Sequence, residues 1–174
     1  MQDSMPNQEI ELNPVDFITV GTVGPKGRRL FHLQAGDESQ IVSLIIEKEQ
    51  ARALSEAIGE MLSDLDTRFP ASEEHSFDIP LANMELRDPI EPVFRVSQMG
   101  LGYDEQRDMI VLVAQELLTS EEEEDVSPDE IEPSVVRLWC DRAQIRALGT
   151  RAQEVVQSGR PDPRLNGRLV FYWT

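Results

Sequence analysis

Cysteine is almost absent: the 174 residues include one, Cys140. A single thiol forms no internal disulfide, and no Cys/His spacing accompanies it, so neither a disulfide framework nor a thiolate zinc site is expected. Its setting, Leu138-Trp139-Cys140, reads as the end of an apolar strand, where a buried structural thiol belongs. Histidine is nearly as rare, with His32 and His75 alone. His32 falls in an alternating run and reads as a packed or surface strand position, not a ligand. Aromatic residues are 6% of the chain, few for a base-stacking platform. Bases are scarce as well: 16 Lys+Arg stand against 33 Asp+Glu, a net charge of −17 that opposes a sequence-independent grip on nucleic acid or an anionic membrane. No apolar run approaches the ~20 residues of a membrane helix, and residues 1–14 have no signal-peptide character. The expectation is a soluble cytoplasmic protein, and 40% apolar residues suffice for one sizeable core.

The charge is uneven. Residues 116–132 hold nine acids and no base, including Glu121-Glu122-Glu123-Glu124-Asp125, which leaves −8 for the rest of the chain. This segment reads as a long, solvated loop, without the alternating ligands and central glycine of a calcium site.

What the sequence does contain is a likeness to itself. Residues 43–62 laid over 137–156 match at Leu44/Leu138, Gln50/Gln144, Arg52/Arg146, Ala53/Ala147, Leu54/Leu148 and Glu60/Glu154, an offset of 94. In both, a β-rich run passes into a segment with apolar residues at helical spacing: Ala51, Leu54, Ile58, Met61, Leu62 in one and Ile145, Leu148, Ala152, Val155, Val156 in the other. Upstream, Ile18, Val20 and Gly24 lie over Phe94, Val96 and Gly100 at an offset of 76, and the next strands, residues 30–33 and 109–112, align at 79. The pattern predicts an α+β protein: two βββα repeats related by internal duplication, forming one antiparallel-sheet domain with two packed helices about a pseudo-twofold axis.

The predicted layout is a flexible N-terminus over residues 1–14 and a single domain over 15–158. The domain comprises repeat one (15–65), a surface connector (66–92, with a possible short strand at 77–81) and repeat two (93–158, carrying the acidic loop 116–132). A tail follows over 159–174. The helices are expected at 47–65 and 141–157. Gln50 and Gln144 stand three residues after Glu47 and Asp141, the spacing of a capping box, which accounts for them through helix initiation.

Few residues suggest chemistry. Gly21-Thr22-Val23-Gly24-Pro25-Lys26-Gly27-Arg28-Arg29 is glycine-rich and basic, but Lys26 is followed by Gly27 between two strands and not by Ser/Thr opening a helix, so a hairpin turn is expected. If a small anion binds, Lys26, Arg28 and Arg29 are the densest basic cluster, with Arg52 and Arg146 a second, pseudo-symmetric pair. Serine occurs in no Gly-x-Ser-x-Gly elbow, and the carboxylates lie in charge runs or on helix faces. No catalytic set, metal site or cofactor motif emerges. The five apolar residues Leu169-Val170-Phe171-Tyr172-Trp173 read as a final strand or packed tail, or alternatively as a partner-docking segment through Phe171, Tyr172 and Trp173.

An ordered set of short motifs resembles a bacterial family known as domain of unknown function 3090. It comprises Gly21-Thr22-Val23-Gly24, Leu33-Gln34-Ala35, Glu47-Lys48-Glu49-Gln50, Arg87-Asp88-Pro89, Phe94-Arg95-Val96 and Gly159-Arg160-Pro161, and covers residues 15–167. The resemblance implies a cytoplasmic bacterial protein without assigned activity, often encoded in actinobacteria beside a histidine-phosphatase-like protein. Members typically carry a Cys-Pro-x-Cys tail that looks like a small zinc site. This chain departs there, running from Gly159-Arg160-Pro161 through Asp162-Pro163 with no cysteine.

The functional expectation is a non-enzymatic binding or adaptor domain for a protein or small-molecule partner. The alternatives are single-stranded nucleic-acid binding, by topological analogy to PUR-alpha and Whirly-like folds, and a small enzyme or binder acting on a phosphorylated metabolite at the Lys26 turn.

Overall fold

In the computed structural model, residues 8–25, 27–70, 84–118 and 132–158 are described. The strands are β1 (Glu9–Leu12), β2 (Phe17–Val23), β3 (Leu30–Gly36), β4 (Ile41–Ile46), β5 (Pro92–Asp104), β6 (Met109–Glu116) and β7 (Val135–Cys140). Helix α1 (Lys48–Arg68) follows β4, and α2 (Arg142–Ser158) follows β7. The class is α+β: one seven-stranded sheet in the order β1-β7-β6-β5-β4-β3-β2, with two helices. None of the described helices is long and apolar enough to cross a membrane.

The sheet is mixed, which corrects the all-antiparallel expectation. Hairpin neighbours β2–β3, β3–β4, β5–β6 and β6–β7 are antiparallel, while β4–β5 and β1–β7 are parallel. A second correction concerns the N-terminus: Glu9–Leu12, placed within a flexible segment by the sequence reading, pairs with β7 in register Glu9↔Val135 to Leu12↔Leu138. Hydrogen bonding continues past that ladder, with Val15 N–H donating to the Trp139 carbonyl at 2.9 Å. Strands β1 and β2 lie at opposite ends of the sheet order, yet only four residues, including the cis Asn13-Pro14 bond, join them. Seven flat strands at ~4.8 Å spacing would hold those ends roughly 29 Å apart, beyond the ~17 Å that four linking residues can span, so the sheet curls back on itself.

The rungs reveal how the halves correspond. Laid rung over rung, Phe31↔Ile46 and Ile110↔Cys140 are separated by 79 and 94 residues. The first strands do not follow the expected 76. Val23↔Leu30 matches Asp104↔Met109, and Phe17↔Gly36 matches Gln98↔Gln115, an offset of 81 that sets Val15 against Val96 and Val20 against Leu101. An irregularity between Val96 and Gln98 explains the misreading, because the extra residue lets Phe94 and Val96 face the core and Met99 and Leu101 face it again. Continuous β5 therefore matches β1 and β2 together.

Both helices begin as expected. Gln50 Oε1 accepts from the Glu47 N–H at 2.7 Å, and Gln144 Oε1 accepts from the Asp141 N–H at 2.9 Å. Each glutamine also donates through Nε2 to the first strand of the other half: Gln50 to the Val96 and Ser97 carbonyls at 3.1 and 3.2 Å, Gln144 to the Val15 carbonyl at 3.1 Å. The apolar stripes bury Ala51, Leu54, Ile58, Leu62 and Leu65 on α1, and Ile145, Leu148, Ala152, Val155 and Val156 on α2. They pack with Val20, Leu33, Leu44, Leu112 and Leu138 in one core cluster, where each fully buried Leu, Ile or Val contributes ~1.5–3 kcal/mol.

The opposite face of the first half is covered too. Thr19 Oγ1 donates to the Met84 carbonyl at 2.5 Å, and Gln34 accepts from the Arg87 N–H at 2.7 Å while donating to its carbonyl at 2.9 Å. Leu86 fits over Gly21, where a Cβ would stand 2.8 Å from Leu86 Cγ. The connector thus ends as a packed strap, not as a free crossing. Residues 71–83, which include the possible strand at 77–81, lie outside the described residues, as do 119–131 of the acidic loop.

Candidate functional site

The two halves differ most where a helix runs beside the first strand of the other half. Strand β4 pairs with β5 only as far as Ile45↔Arg95, and the chain then turns into α1. Beyond that point β5 has β6 on one side and α1 on the other. The Glu116 N–H donates to the Ser134 carbonyl at 2.9 Å, directing Glu116, Ala114, Leu112 and Ile110 toward β7. By strand alternation the intervening residues of β6 bond to Gln98, Gly100, Gly102 and Asp104 of β5. The backbone N–H and C=O groups of Met99, Leu101 and Tyr103 therefore point the other way, where no strand pairs with them among the described residues.

A cleft of about 580 Å³ opens along this edge. Ala53, Leu54, Ala57 and Met61 form its helix wall, Met99, Gly100, Leu101 and Leu112 its sheet wall, and Gln50, Glu60, Ser97 and Gln98 its polar rim. That size falls within the ~300–1,000 Å³ of ordinary ligand sites, and the walls are mainly apolar. In the first half the matching edge, Ile18, Val20 and Thr22 of β2, is closed by α2. Arg151 Nε donates to the Val20 carbonyl at 3.2 Å, and its guanidinium also pairs with Glu154 at 3.9 Å. The residue of α1 at the Arg151 position is Ala57, and the strand carbonyl at the Val20 position is that of Leu101. Helix α2 packs closely along β2 whereas α1 stands off β5, and the position that is Arg151 at the closed edge is Ala57 at the open one.

A second polar centre lies where the end of α1 meets the start of α2. Arg142 is 5% exposed. Its Nε donates to Asp108 Oδ1 at 2.8 Å, Nη1 to Asp66 at 3.4 Å, and Nη2 to Tyr103 Oη at 3.3 Å and to the Phe69 carbonyl. Tyr103 Oη donates to Asp108 at 2.8 Å. Burial and this bond to Asp108 push the tyrosine up from its usual pKa. Burial works against the charged form of Arg142, but the bonds with Tyr103 and Asp108 outweigh it and raise its pKa. Every guanidinium nitrogen has a protein partner, so the cluster is a brace between elements.

The residues singled out in the sequence are not brought together. Arg28 and Arg29 lie in the β2–β3 turn, where the Arg28 N–H closes onto the Pro25 carbonyl at 2.9 Å; this is the expected hairpin, and Lys26 lies outside the described residues. Arg52 pairs with Glu49 at 3.3 Å and Arg146 with Asp66 at 3.8 Å, so each has a carboxylate of its own and the two share no cleft. Phe171, Tyr172 and Trp173 are outside the described residues. Cys140 is buried, and burial first, then the charge of Asp141, pushes its thiol well above the usual range. Among the described residues no group of three or more His, Cys, Asp or Glu is placed to hold a metal ion. On the outer face of the second half Trp139 stands under Arg107, but Glu11 accepts its indole N–H at 2.6 Å and Glu9 pairs with Arg137 at 3.4 Å.

Sequence reasoning missed the cleft. Its signal was nevertheless present, because Ala57 and Arg151 share a column of the 94-residue offset. Only the register of β5 shows that this column faces the strand edge.

The model of the family described as protein of unknown function (DUF3090) matches residues 10–168. No curated protein and no solved structure matches the chain.

Proposed function

From a chain that belongs to the DUF3090 family, with no activity attached to that family's description, we propose a non-enzymatic binding domain that takes an extended, apolar segment of a protein partner in the cleft between α1 and β5. The observation that carries this reading is the open edge itself. Met99, Leu101 and Tyr103 offer backbone donors and acceptors in strand spacing beside apolar walls. The ligand best matched to that combination is another strand, whose main chain pairs with β5 while alternate side chains enter the cleft. The closed counterpart supports it, since there α2 packs along β2 and Arg151 donates to the Val20 carbonyl, while α1 leaves the β5 edge accessible. We place the protein in the bacterial cytoplasm and read its two halves as copies of one βββα unit. The copy that kept its edge open carries the function.

Selection of phage-displayed heptapeptides against the full chain, with Ala57→Arg as counter-target, tests this. Enrichment of uncharged sequences with alternating apolar residues, binding at least tenfold more weakly to Ala57→Arg, is the expected result. Peptides that bind both proteins equally, or at sites other than the 97–101 edge in hydrogen exchange, would overturn it.

A further inference from the structure

The α1–β5 cleft is bridged at both ends. At one, the Gln50 side chain reaches from the helix to the Val96 and Ser97 carbonyls. At the other, the Phe69 ring stands 5.5 Å from that of Tyr103, whose hydroxyl is held by Asp108 and Arg142. The edge left unpaired among the described residues, Met99 to Tyr103, spans ~14 Å at ~3.4 Å per residue, room for a strand of about five residues. A stretch internal to a partner must bend out at both bridges; a chain end stops at one and bends out once.

Charge selects which end. Of the described residues that line the cleft Glu60 alone is charged, and its carboxylate has no partner among the described residues. Glu56, exposed one turn earlier, adds to the negative field. The nearby bases are committed elsewhere, Arg52 to Glu49 at 3.3 Å and Arg95 to Glu47 at 2.8 Å. A terminal carboxylate would meet like charge here, and a terminal ammonium meets its opposite. Glu60 lies ten residues along α1 from Gln50. At ~1.5 Å per residue that is ~15 Å, which along β5 leads from Ser97 to about the level of Leu101 or Gly102, in the half of the cleft nearer Tyr103.

We propose that the cleft takes the N-terminal segment of a partner protein, its free α-ammonium paired with Glu60 and its first residues running along the β5 edge toward Gln50, antiparallel to β5. The proposal rests on the reading of the cleft as a strand-binding site. Apolar walls beside a single carboxylate fit a segment whose side chains are uncharged and whose one charge is its own terminus. Acetylation of that terminus removes the charge, so acetylated partners are rejected.

Selection of heptapeptides displayed with a free N-terminus, beside the same library displayed behind a fixed N-terminal extension, tests the proposal on the full chain. Enrichment from the free-terminus library alone is expected. Recovered peptides resynthesised with a free amine should bind at least tenfold more tightly than their N-acetylated forms, and C-terminal amidation should change nothing. Glu60→Gln should weaken the free-amine peptides at least threefold and leave the acetylated ones unaffected. Binding of the free-amine peptides alone should weaken between pH 7 and pH 9, as the α-amino group, with a pKa of about 8, loses its proton. Equal binding by free and acetylated forms, or equal enrichment from both libraries with binding lost in Ala57→Arg, would overturn the N-terminal assignment and leave the strand-binding cleft standing. A dependence on the free amine that survives Glu60→Gln overturns the pairing with Glu60. Failure of both libraries, or binding that Ala57→Arg does not weaken, removes the binding site itself.

Discussion

Ser55 Oγ donates to the Gly149 carbonyl at 2.9 Å, and the two residues occupy the same column of the 94-residue offset. This bond marks where α1 and α2 cross. Both residues are small there, which lets the helices approach.

Two glycines separate packing from propensity at this crossing. A Cβ on Gly149 would stand 2.9 Å from Ile58 Cγ2, whereas one on Gly59 would meet nothing within 4 Å. Gly59→Ala should stabilise the protein by about 0.5–1 kcal/mol through helix propensity. Gly149→Ala should lose about 1–3 kcal/mol to overpacking, offset by up to about 1 kcal/mol of the same propensity gain. Urea unfolding midpoints of the two variants check the opposite signs.

The Arg142 brace is the most sensitive polar site. Removing the guanidinium leaves Asp108 and the Phe69 carbonyl without it, so Arg142→Ala should cost about 3–5 kcal/mol. Arg142→Lys should recover less than half of that, because one ammonium cannot reach the four partners that the planar fork serves. Thermal unfolding of the two variants beside Tyr103→Phe, expected to lose about 1 kcal/mol, tests the ranking.

Arg151→Ala should open a second edge. The Val20 carbonyl would lose its donor, at a cost of about 1–3 kcal/mol. Faster hydrogen exchange at Ile18, Val20 and Thr22, with no change at the hairpin-bonded Thr19 and Gly21, would distinguish a newly opened edge from general loosening of the sheet.

His32 gives the stability a slope in mildly acidic solution. It is 3% exposed, its Nδ1 has no hydrogen-bond partner among the described residues, and burial lowers its pKa below the usual 6.5. The folded state then binds fewer protons than the unfolded chain, so this contribution is whole above about pH 6.5 and falls as pH drops toward the folded-state pKa. Asp37, lowered by the Ser39 hydroxyl bond first and then by the Ser39 N–H, acts in the same direction but below about pH 4. His32→Leu should therefore flatten the denaturant midpoint between pH 7 and pH 5 and leave the steeper fall below pH 4. An unchanged slope above pH 5 would assign it to other groups.

Much of the architecture was legible in the residues. The helix stripes, the capping glutamines and the hairpin strands rest on local rules: 3.6-residue periodicity, an N3 side chain that reaches back, alternation across a pleat. Local rules do not specify which strands from distant segments meet. Parallel β4–β5 pairing, the recruitment of Glu9–Leu12 by β7, and the 81-residue correspondence of the first strands depend on contacts across the molecule, and a single extra residue near Ser97 was enough to hide the last of them.

The same division holds for the site. Sequence alone determined that Ala57 stands where its counterpart is Arg151, since that is a matter of order along the chain. Tertiary structure decided that the position lines a cleft beside a strand edge left unpaired among the described residues, because hydrogen-bond direction alternates residue by residue and only the completed ladder says which carbonyls are already taken. An alanine in that column is unremarkable until Ala57 and Leu101 are seen to line one cleft.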